Sequence, residues 1–219
     1  MSNEKIYKVI EVDGGAPDDS SVTKSISVVD NKVEAEMEKV RKNNIADFRE
    51  LMRNRANNPI VLSNLLDEIG YFTAPAAISY HGNHIGGLYD HSKQVAMELQ
   101  NLTYKLGLRW DNSKSPFFVG ILHDLCKCDD YVMDDNGVWI YNKNKLLPGH
   151  GDKSVMMAQQ IMAVTEGGLN DEEMYCIRWH MGAFDDRENW SCYSAAVKKY
   201  PNVLYTHTAD MIASQIIGI

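Results

Sequence analysis

The stretch "SPFFVGILHDLCKCDD" (residues 115–130) ends an apolar run with a histidine and an aspartate. Phe118 and Leu122 belong to an apolar face at helical spacing, which predicts a helix packed in a core. Adjacent helical residues point about 100° apart, yet His123 and Asp124 can both reach one cavity that faces the end of the helix. Other polar side chains that face the same core are therefore candidates to join them.

Length and composition predict one main domain outside membranes. The 219 residues, 44% of them hydrophobic, suffice for one sizeable core and a short accessory segment. No run approaches the roughly eighteen apolar residues that span a bilayer, and the opening MSNEKIYK lacks the apolar stretch of a signal peptide. We expect a cytoplasmic protein with no membrane partner. Its four cysteines are too scattered for a disulfide framework, so we expect reduced thiols packed as small hydrophobes.

The acidic charge balance limits the partners. A net charge of −8 argues against duplex nucleic acid, because gripping many phosphates needs a basic face. Small anionic substrates are compatible with this negative net charge, since a metal ion can supply positive charge locally.

After Pro59 the hydrophobic spacing is helical almost throughout. The predicted helices are IVLSNLLDEIG, LYDHSKQVAMELQNLTYKLG, SPFFVGILHDLCK, HGDKSVMMAQQIMAVTEGG, LNDEEMYCIRWHMG and NVLYTHTADMIASQIIG. The exception is YVMDDNGVWIYN, where the pair Asn136 and Gly137 predicts a β-hairpin. We therefore predict an all-α helical bundle with one small inserted β-hairpin.

Residues 1–58 form a separate segment in this prediction. Residues 1–30 are expected to be an arm, with a short strand at YKVIEV and a loop at DGGAPDDSS. The helical spacing that starts at Val33 changes phase once before Met52, which predicts two helices or one kinked helix. We divide the chain into an arm with accessory helices, whose amphipathic face could pair copies into a homo-oligomer, and a domain at residues 59–219.

Five of the six predicted helices carry an imidazole or a carboxylate on the inward side or at the helix end. The ordered set is His91, His123, Asp124, His150, His180 and Asp210. One histidine on an apolar face is more often a hydrogen-bonded core residue than a ligand, and a single His–Asp pair arises by chance in many chains. Burying all six without partners, however, would cost several kcal/mol apiece, and a shared metal removes that cost.

The types of donor atom narrow the choice of metal. Four imidazoles and two carboxylates, with no thiolate in the set, suit Mn, Fe, Co, Ni or Zn. A catalytic ion keeps one position open, so six protein ligands exceed what a single ion takes. We expect one or two divalent transition-metal ions, and two ions bridged by a carboxylate fit better. Gly149 and Gly151 flank His150 and are expected to allow close backbone approach to a ligand, while Gly120 leaves room beside His123.

The pattern H…HD…H…H…D resembles the dinuclear members of the HD-domain metal-dependent phosphohydrolases. The segments PAAISYHGNHIGGLYDHS, GILHDLCK, KLLPGHGDKS, IRWHMG and HTADMIAS are similar to the HD domain of bacterial YhaM-type 3'-to-5' exoribonucleases, and to small HD hydrolases of Firmicutes and their phages. The similarity covers about residues 59–217. Those exoribonucleases carry an OB-fold before the HD domain, whereas the 58 residues here are too short for one. Cys126 replaces the usual glycine of the motif, and Gly82 replaces the second histidine of a common pair that begins at His81.

This resemblance implies an HD-domain bundle and a ligand assignment. His91, His123, Asp124 and Asp210 would hold one ion, and Asp124 would bridge to a second ion held by His150 and His180. It also implies a phosphohydrolase in which a metal-activated water cleaves a phosphoester of a nucleotide or a short single-stranded RNA or DNA.

Further roles are expected around these ligands. Asp124 and Lys127 are the candidate catalytic residues, with Lys127 holding a phosphate oxygen; an ordinary surface lysine is an equally supported alternative. His81, Lys153 and His207 are candidates for contacting the substrate or orienting a ligand, although solvent exposure is favoured for Lys153 and core packing explains His207 as well.

Two other classes of function stay open. Some proteins with the same six ligands are dinuclear-iron oxygenases. A non-catalytic nucleotide-binding module, in which the metal only stabilises the fold, is the third alternative.

Overall fold

A computed structural model describes residues 20–79, 82–134 and 136–219, with side chains from residue 32 onward. The α-helices are α1 (Ser20–Met52), α2 (Pro59–Glu68), α3 (Gly87–Leu106), α4 (Ser115–Leu122), α5 (Lys127–Asp130), α6 (Gly151–Thr165), α7 (Asp171–Arg178), α8 (Trp190–Lys199) and α9 (Asn202–Met211). Two 3₁₀ turns (Gly182–Phe184 and Arg187–Asn189) precede α8, and a π-helical segment (Ile212–Ile217) continues α9. Strands β1 (Tyr131–Met133) and β2 (Trp139–Tyr141) complete the fold. The predicted all-α class with a small hairpin is confirmed.

The hairpin forms where the Asn–Gly pair predicts it. β1 and β2 are antiparallel, with Tyr131 opposite Tyr141 and Met133 opposite Trp139. Gly137 takes a positive φ of 75° in the turn, a conformation that glycine adopts at little cost.

The core is built on helix α3, which packs along α4 and α9. Gly120 of α4 lies so close to α3 that an added Cβ would stand 2.4 Å from the Cα of Ala96. Gly120 therefore permits close helix packing, rather than leaving open room beside His123 as expected. Tyr71 and Tyr89 join the buried aromatic part of this core, and the Tyr71 hydroxyl donates to the carbonyl oxygen of Ile121 at 2.9 Å.

Several helix boundaries differ from the predictions. Helix α1 is one continuous helix that begins at Ser20, so the last part of the predicted arm is helical. The predicted strand at YKVIEV lies outside the described residues. Helix α4 ends at Leu122, and the next residues form a tight turn in which the Lys127 amide donates to the Asp124 carbonyl at 3.0 Å. Helix α8 was not predicted.

The division of the chain at residue 58 stays a prediction. Phe48 and Met52, at the end of α1, are fully buried in the same core as Leu88 of α3. The last turns of α1 therefore share the core of the residues that follow Pro59.

None of the helices in the described ranges is both long and apolar enough to cross a membrane. All four cysteines are free thiols. Cys126 and Cys176 are buried and Cys128 is half-buried, as expected of small hydrophobes, whereas Cys192 is exposed, so that expectation is wrong for Cys192.

Candidate metal centre

Five separate parts of the chain bring the six predicted imidazoles and carboxylates to one place. They are His91 on α3, His123 and Asp124 in the turn after α4, His150 directly before α6, His180 just after α7 and Asp210 on α9. The rings of His91 and His123 have centroids 5.3 Å apart, and those of His123 and His180 are 4.9 Å apart. The packing of the bundle therefore brings together residues that lie far apart in the sequence.

The two carboxylate oxygens of Asp124 face different histidines. Oδ2 lies 3.6 Å from Nε2 of His123 and 3.9 Å from Nε2 of His91. Oδ1 lies 3.3 Å from Nε2 of His180 and 3.8 Å from Nδ1 of His150. On the Oδ2 side, Asp210 Oδ1 stands 3.2 Å from Nε2 of His91. Asp124 thus divides the surrounding donors into two groups.

Backbone carbonyls fix the orientation of three imidazoles. The Nδ1 atoms of His91, His123 and His180 lie 2.8, 2.7 and 2.7 Å from the carbonyl oxygens of Ile219, Gly120 and Ile177. A carbonyl only accepts hydrogen bonds, so each Nδ1 must carry the proton that it donates. When the ring is neutral, its Nε2 then bears a lone pair directed toward Asp124 or Asp210, which is the arrangement found in metal-ligating histidines.

Two of these nitrogens are buried without a partner. Among the described residues, Nε2 of His123 and Nε2 of His180 find no hydrogen bond. Leaving a buried polar atom unsatisfied costs about 1–3 kcal/mol, and native proteins rarely tolerate it without a reason. A cation held between these nitrogens and Asp124 would remove the cost, so the residues present fit a divalent metal ion.

The spacing of the donor atoms supports the same fit. Within each of three overlapping groups, one donor atom per residue lies within 4.8 Å of the others. The groups are His91–His123–Asp124, His123–His180–Asp210 and Asp124–His150–His180. Buried imidazole and carboxylate donors at these distances form a candidate metal centre.

A glycine contact between α6 and α7 explains how His150 approaches His180. A Cβ added to Gly151 would lie 2.0 Å from the carbonyl oxygen of Arg178, so only glycine fits at the start of α6. The ring centroids of His150 and His180 are then 6.4 Å apart. Gly151 was expected to admit a ligand, but it admits the backbone of α7 instead.

The two carboxylates raise the pKa of two imidazoles. Burial alone would lower the pKa of His91, but its contact with Asp210 and the charge of Asp124 outweigh burial and raise it above 6.5. Burial likewise opposes the rise in the pKa of His180, which Asp124 produces. Burial lowers the pKa of His123 to about 4, because the charge of Asp124, 3.6 Å from its Nε2, opposes burial only in part.

Positive neighbours keep the carboxylates ionised. Burial would raise the pKa of Asp124, but the charge of Lys127 and the contacts with the His123 and His180 imidazoles outweigh burial and hold that pKa well below its usual range. Contact with His91 likewise overcomes burial and lowers the pKa of Asp210. The centre therefore offers two negative charges to a cation at neutral pH.

An open cavity of about 470 Å³ leads to these residues. Its lining includes the polar residues His91, Asp124, His150 and Asp210 and an apolar wall of Met181, Phe184 and Met211. The sequence patterns had not identified this wall. It follows from the turn after α7 and from the end of α9, which only the packed bundle brings together.

Lys127 lines the same cavity. Its side chain is half-buried, with Nζ 5.7 Å from the ring centroid of Tyr131. Burial would lower the pKa of Lys127, but the negative charge of Asp124 outweighs burial and raises it, so the ammonium group stays charged. The structure thus places a cation beside the candidate centre.

The remaining candidates have different surroundings. His207 lines the cavity and donates from Nδ1 to the carbonyl oxygen of His180 at 2.8 Å. Lys153 was expected to be exposed, and this is wrong. Only 2% exposed, it is bound by the carboxylates of Asp129 and Asp130 because α6 packs it against α5. His81 lies outside the described residues.

Cys126 is a neighbour of the centre that the sequence patterns did not include. Its Sγ lies 3.0 Å from Nδ1 of His150 and 3.9 Å from Oδ1 of Asp124. Burial, with the charge of Asp124, raises the pKa of this thiol and keeps it protonated in the metal-free protein. The signals in the sequence are that it follows Asp124 by two residues and that it stands where the motif usually has glycine.

No protein-family model, curated protein or solved structure matches this chain. An assignment of function therefore has to come from the chemistry of the candidate metal centre and its cavity.

Proposed function

We propose that this protein is a metal-dependent phosphohydrolase of the HD type, which cleaves a phosphoester of a nucleotide or of a short single-stranded RNA or DNA. The observation that carries the proposal is the position of Asp124. Each of its carboxylate oxygens faces its own pair of histidines, which is the arrangement required of a carboxylate that bridges two ions.

The donor groups suggest how the ions would be shared. His91, His123, Asp124 and Asp210 would hold one divalent ion, and Asp124, His150 and His180 would hold the other. Mn, Fe, Co, Ni and Zn all suit imidazole and carboxylate donors. When bound, such ions supply Lewis-acid chemistry: they lower the pKa of a water and screen charge on a phosphoryl group.

The protein's own residues supply orientation and charge. The backbone bonds of His91, His123 and His180 fix their rings, so little reorganisation is needed when a ligand binds. Lys127, held as a cation at the cavity wall, would bind a phosphate oxygen as a point charge. His207 would support His180 through the carbonyl oxygen that it contacts.

The cavities suit a nucleotide better than a bare phosphate. The wall of Met181, Phe184 and Met211 offers apolar surface for a base or sugar in the same cavity as the candidate ligands. A second cavity of about 300 Å³ shares Lys127 and His150 with the first and adds Tyr131, Tyr141 and Lys145. Aromatic rings beside lysines bind successive nucleotides of a single strand, which favours a substrate of one or a few nucleotides.

The remaining expectations about partners and location stay predictions. The net charge of −8 supports a small substrate rather than duplex nucleic acid, because binding many phosphates needs a basic surface. A cytoplasmic location and a homo-oligomer formed through α1 are likewise predictions.

The test is a substrate screen with defined metals. Protein stripped with a chelator is loaded separately with Mn, Ni, Co and Fe and assayed against phosphate monoesters, nucleotides, dinucleotides and short RNA. With at least one redox-silent ion we expect hydrolysis, which releases inorganic phosphate from a monoester or a phosphomonoester from a diester. The Asp124→Ala variant should show no turnover. The matched control is Asp90→Asn, which changes an exposed carboxylate next to His91. Full activity of Asp124→Ala, or no turnover of any substrate with any metal, would overturn the proposal; turnover only with iron and oxygen would favour the oxygenase alternative.

A further inference from the structure

Cys126 lies on the side of the centre that carries His150 and His180. Its Sγ is 3.0 Å from Nδ1 of His150 and 3.9 Å from Oδ1 of Asp124, and these last two atoms are 3.8 Å apart. Donor atoms around one tetrahedral ion, at bond lengths of about 2.0 to 2.3 Å, stand roughly 3.3 to 3.7 Å from one another. The thiol, the imidazole and the carboxylate therefore sit at the separations expected of ligands to one ion, to within a few tenths of an ångström.

The thiol and a cation would compete for the same nitrogen. Nδ1 of His150 is the atom that faces both Cys126 and Asp124. A ring nitrogen has one lone pair in the plane of the ring, so it cannot bind a cation and also hydrogen-bond the thiol. Once His150 is a ligand, the sulfur is left beside the ion, with its former partner occupied.

The surrounding residues hold Cys126 in this position. Its backbone amide donates to Oγ of the buried Ser154 at 3.2 Å, which ties the turn after α4 to helix α6. Asp130 also belongs to a donor group with Cys126 and His150, but Lys145 and Lys153 already bind it at 3.0 and 3.2 Å. Asp124 is therefore the carboxylate available on this side.

We propose that Cys126 is a thiolate ligand at the second metal position, together with Asp124, His150 and His180, and that it favours Zn²⁺ and Co²⁺ over Mn²⁺ there. The metal–sulfur bond forms as the thiol loses its proton to solvent. A thiolate is a soft donor, which zinc accepts and manganese binds poorly. The inference rests on the candidate metal centre but not on phosphohydrolase activity.

Cobalt spectroscopy of the full chain tests the inference. Two equivalents of Co²⁺ are added to the metal-free protein under reducing conditions. Bound cobalt gives visible ligand-field bands, whereas a sulfur-to-cobalt charge-transfer band in the near ultraviolet requires a thiolate. We expect both in the wild type. Cys126→Ser should keep the visible bands and lose the charge-transfer band. Its zinc affinity should fall at least about 10-fold, since even the loss of a residue that only orients a ligand costs about 10- to 100-fold, with a much smaller change for manganese.

Two further variants complete the design. Cys128→Ser alters the neighbouring half-buried thiol and should keep the charge-transfer band. Cys126→Gly removes the thiol with a residue that has no side chain and should also lose the charge-transfer band. Circular dichroism shows whether each variant is folded. Visible bands without a charge-transfer band in the wild type would overturn the role of Cys126 and leave the metal centre standing. A charge-transfer band that persists in folded Cys126→Ser would also overturn the role of Cys126. The absence of all cobalt bands in the wild type would overturn both that role and the metal centre.

Discussion

Replacing Asp124 with asparagine should abolish the stabilisation of this protein by metal ions. The amide is close in shape to the carboxylate but has lost its charge. Because Asp124 faces two histidines with each oxygen, at 3.3 to 3.9 Å, one substitution affects both groups of donors. Asp210, in contrast, lies on one side of Asp124, with Oδ1 3.2 Å from Nε2 of His91.

The expected size of the effect follows from linkage between binding and folding. A ligand at 100 times its dissociation constant stabilises the folded state by about 2.7 kcal/mol per site. For a chain of this size, 1 kcal/mol corresponds to roughly 2–4 °C in Tm, so each ion should raise Tm by about 5–11 °C. Two ions should therefore raise the Tm of the wild type by about 10–20 °C.

The assay is thermal unfolding of the chelator-treated protein with and without added Mn, Co, Ni or Zn. In the Asp124→Asn variant the metal-dependent rise in Tm should fall to near zero. In Asp210→Asn about half of it should remain, because the group around His150 and His180 is intact. The exposed Asp90→Asn variant should keep the full rise.

Two results would refute this reasoning. An unchanged rise in Tm in Asp124→Asn would show that its carboxylate does not join the two groups. A folded wild type whose Tm responds to none of the four metals would show that the imidazoles are satisfied without an ion.

Three other predictions follow from particular contacts. Gly151→Ala should destabilise the protein by about 1–3 kcal/mol through overpacking against the Arg178 carbonyl, and it should weaken metal binding. Denaturant unfolding measures the loss of stability, and metal titration measures the loss of affinity. A neutral effect on stability would be inconsistent with the close approach of α6 and α7. Lys127→Gln should lower kcat/KM about 10- to 100-fold, the loss of one charge-assisted hydrogen bond, with metal content unchanged; full activity would mean that Lys127 does not contact the substrate. Because the pKa values of His91 and His180 are raised above 6.5, metal binding near neutral pH should release protons and metal affinity should fall as the pH falls from above 6.5; calorimetry in two buffers of different ionisation enthalpy measures the release, and identical heats would contradict it.

Much of the fold was predictable because the apolar residues of each main helix recur at helical spacing and turn residues separate the helices. Gly137 specified the hairpin locally, since the turn requires its positive φ of 75°, which glycine adopts at little cost. Helix α8 escaped prediction for a physical reason. Its apolar stripe of Tyr193, Ala196 and Val197 is short, and of its residues only Ala196 is fully buried, so the pattern is weak.

The ligand residues of the candidate site were predictable from the sequence, but the residues that surround them were not. The inward positions of His91 and Asp210 follow from helical spacing, and the structure brings them within 3.2 Å. Cys126 was missed because a continuous helix would direct it away from Asp124, whereas the tight turn after Leu122 brings its sulfur toward His150. The burial of Lys153 depends on carboxylates from another element, which no local pattern contains.

The most direct test of the metal centre is an anomalous difference map from crystals of the protein loaded with manganese or cobalt, recorded at the absorption edge of that metal. We expect two peaks on opposite sides of the Asp124 carboxylate, one beside His91 and His123 and the other beside His150 and His180. Peaks only elsewhere in the molecule, or none in crystals grown at saturating metal, would contradict a dinuclear centre bridged by Asp124.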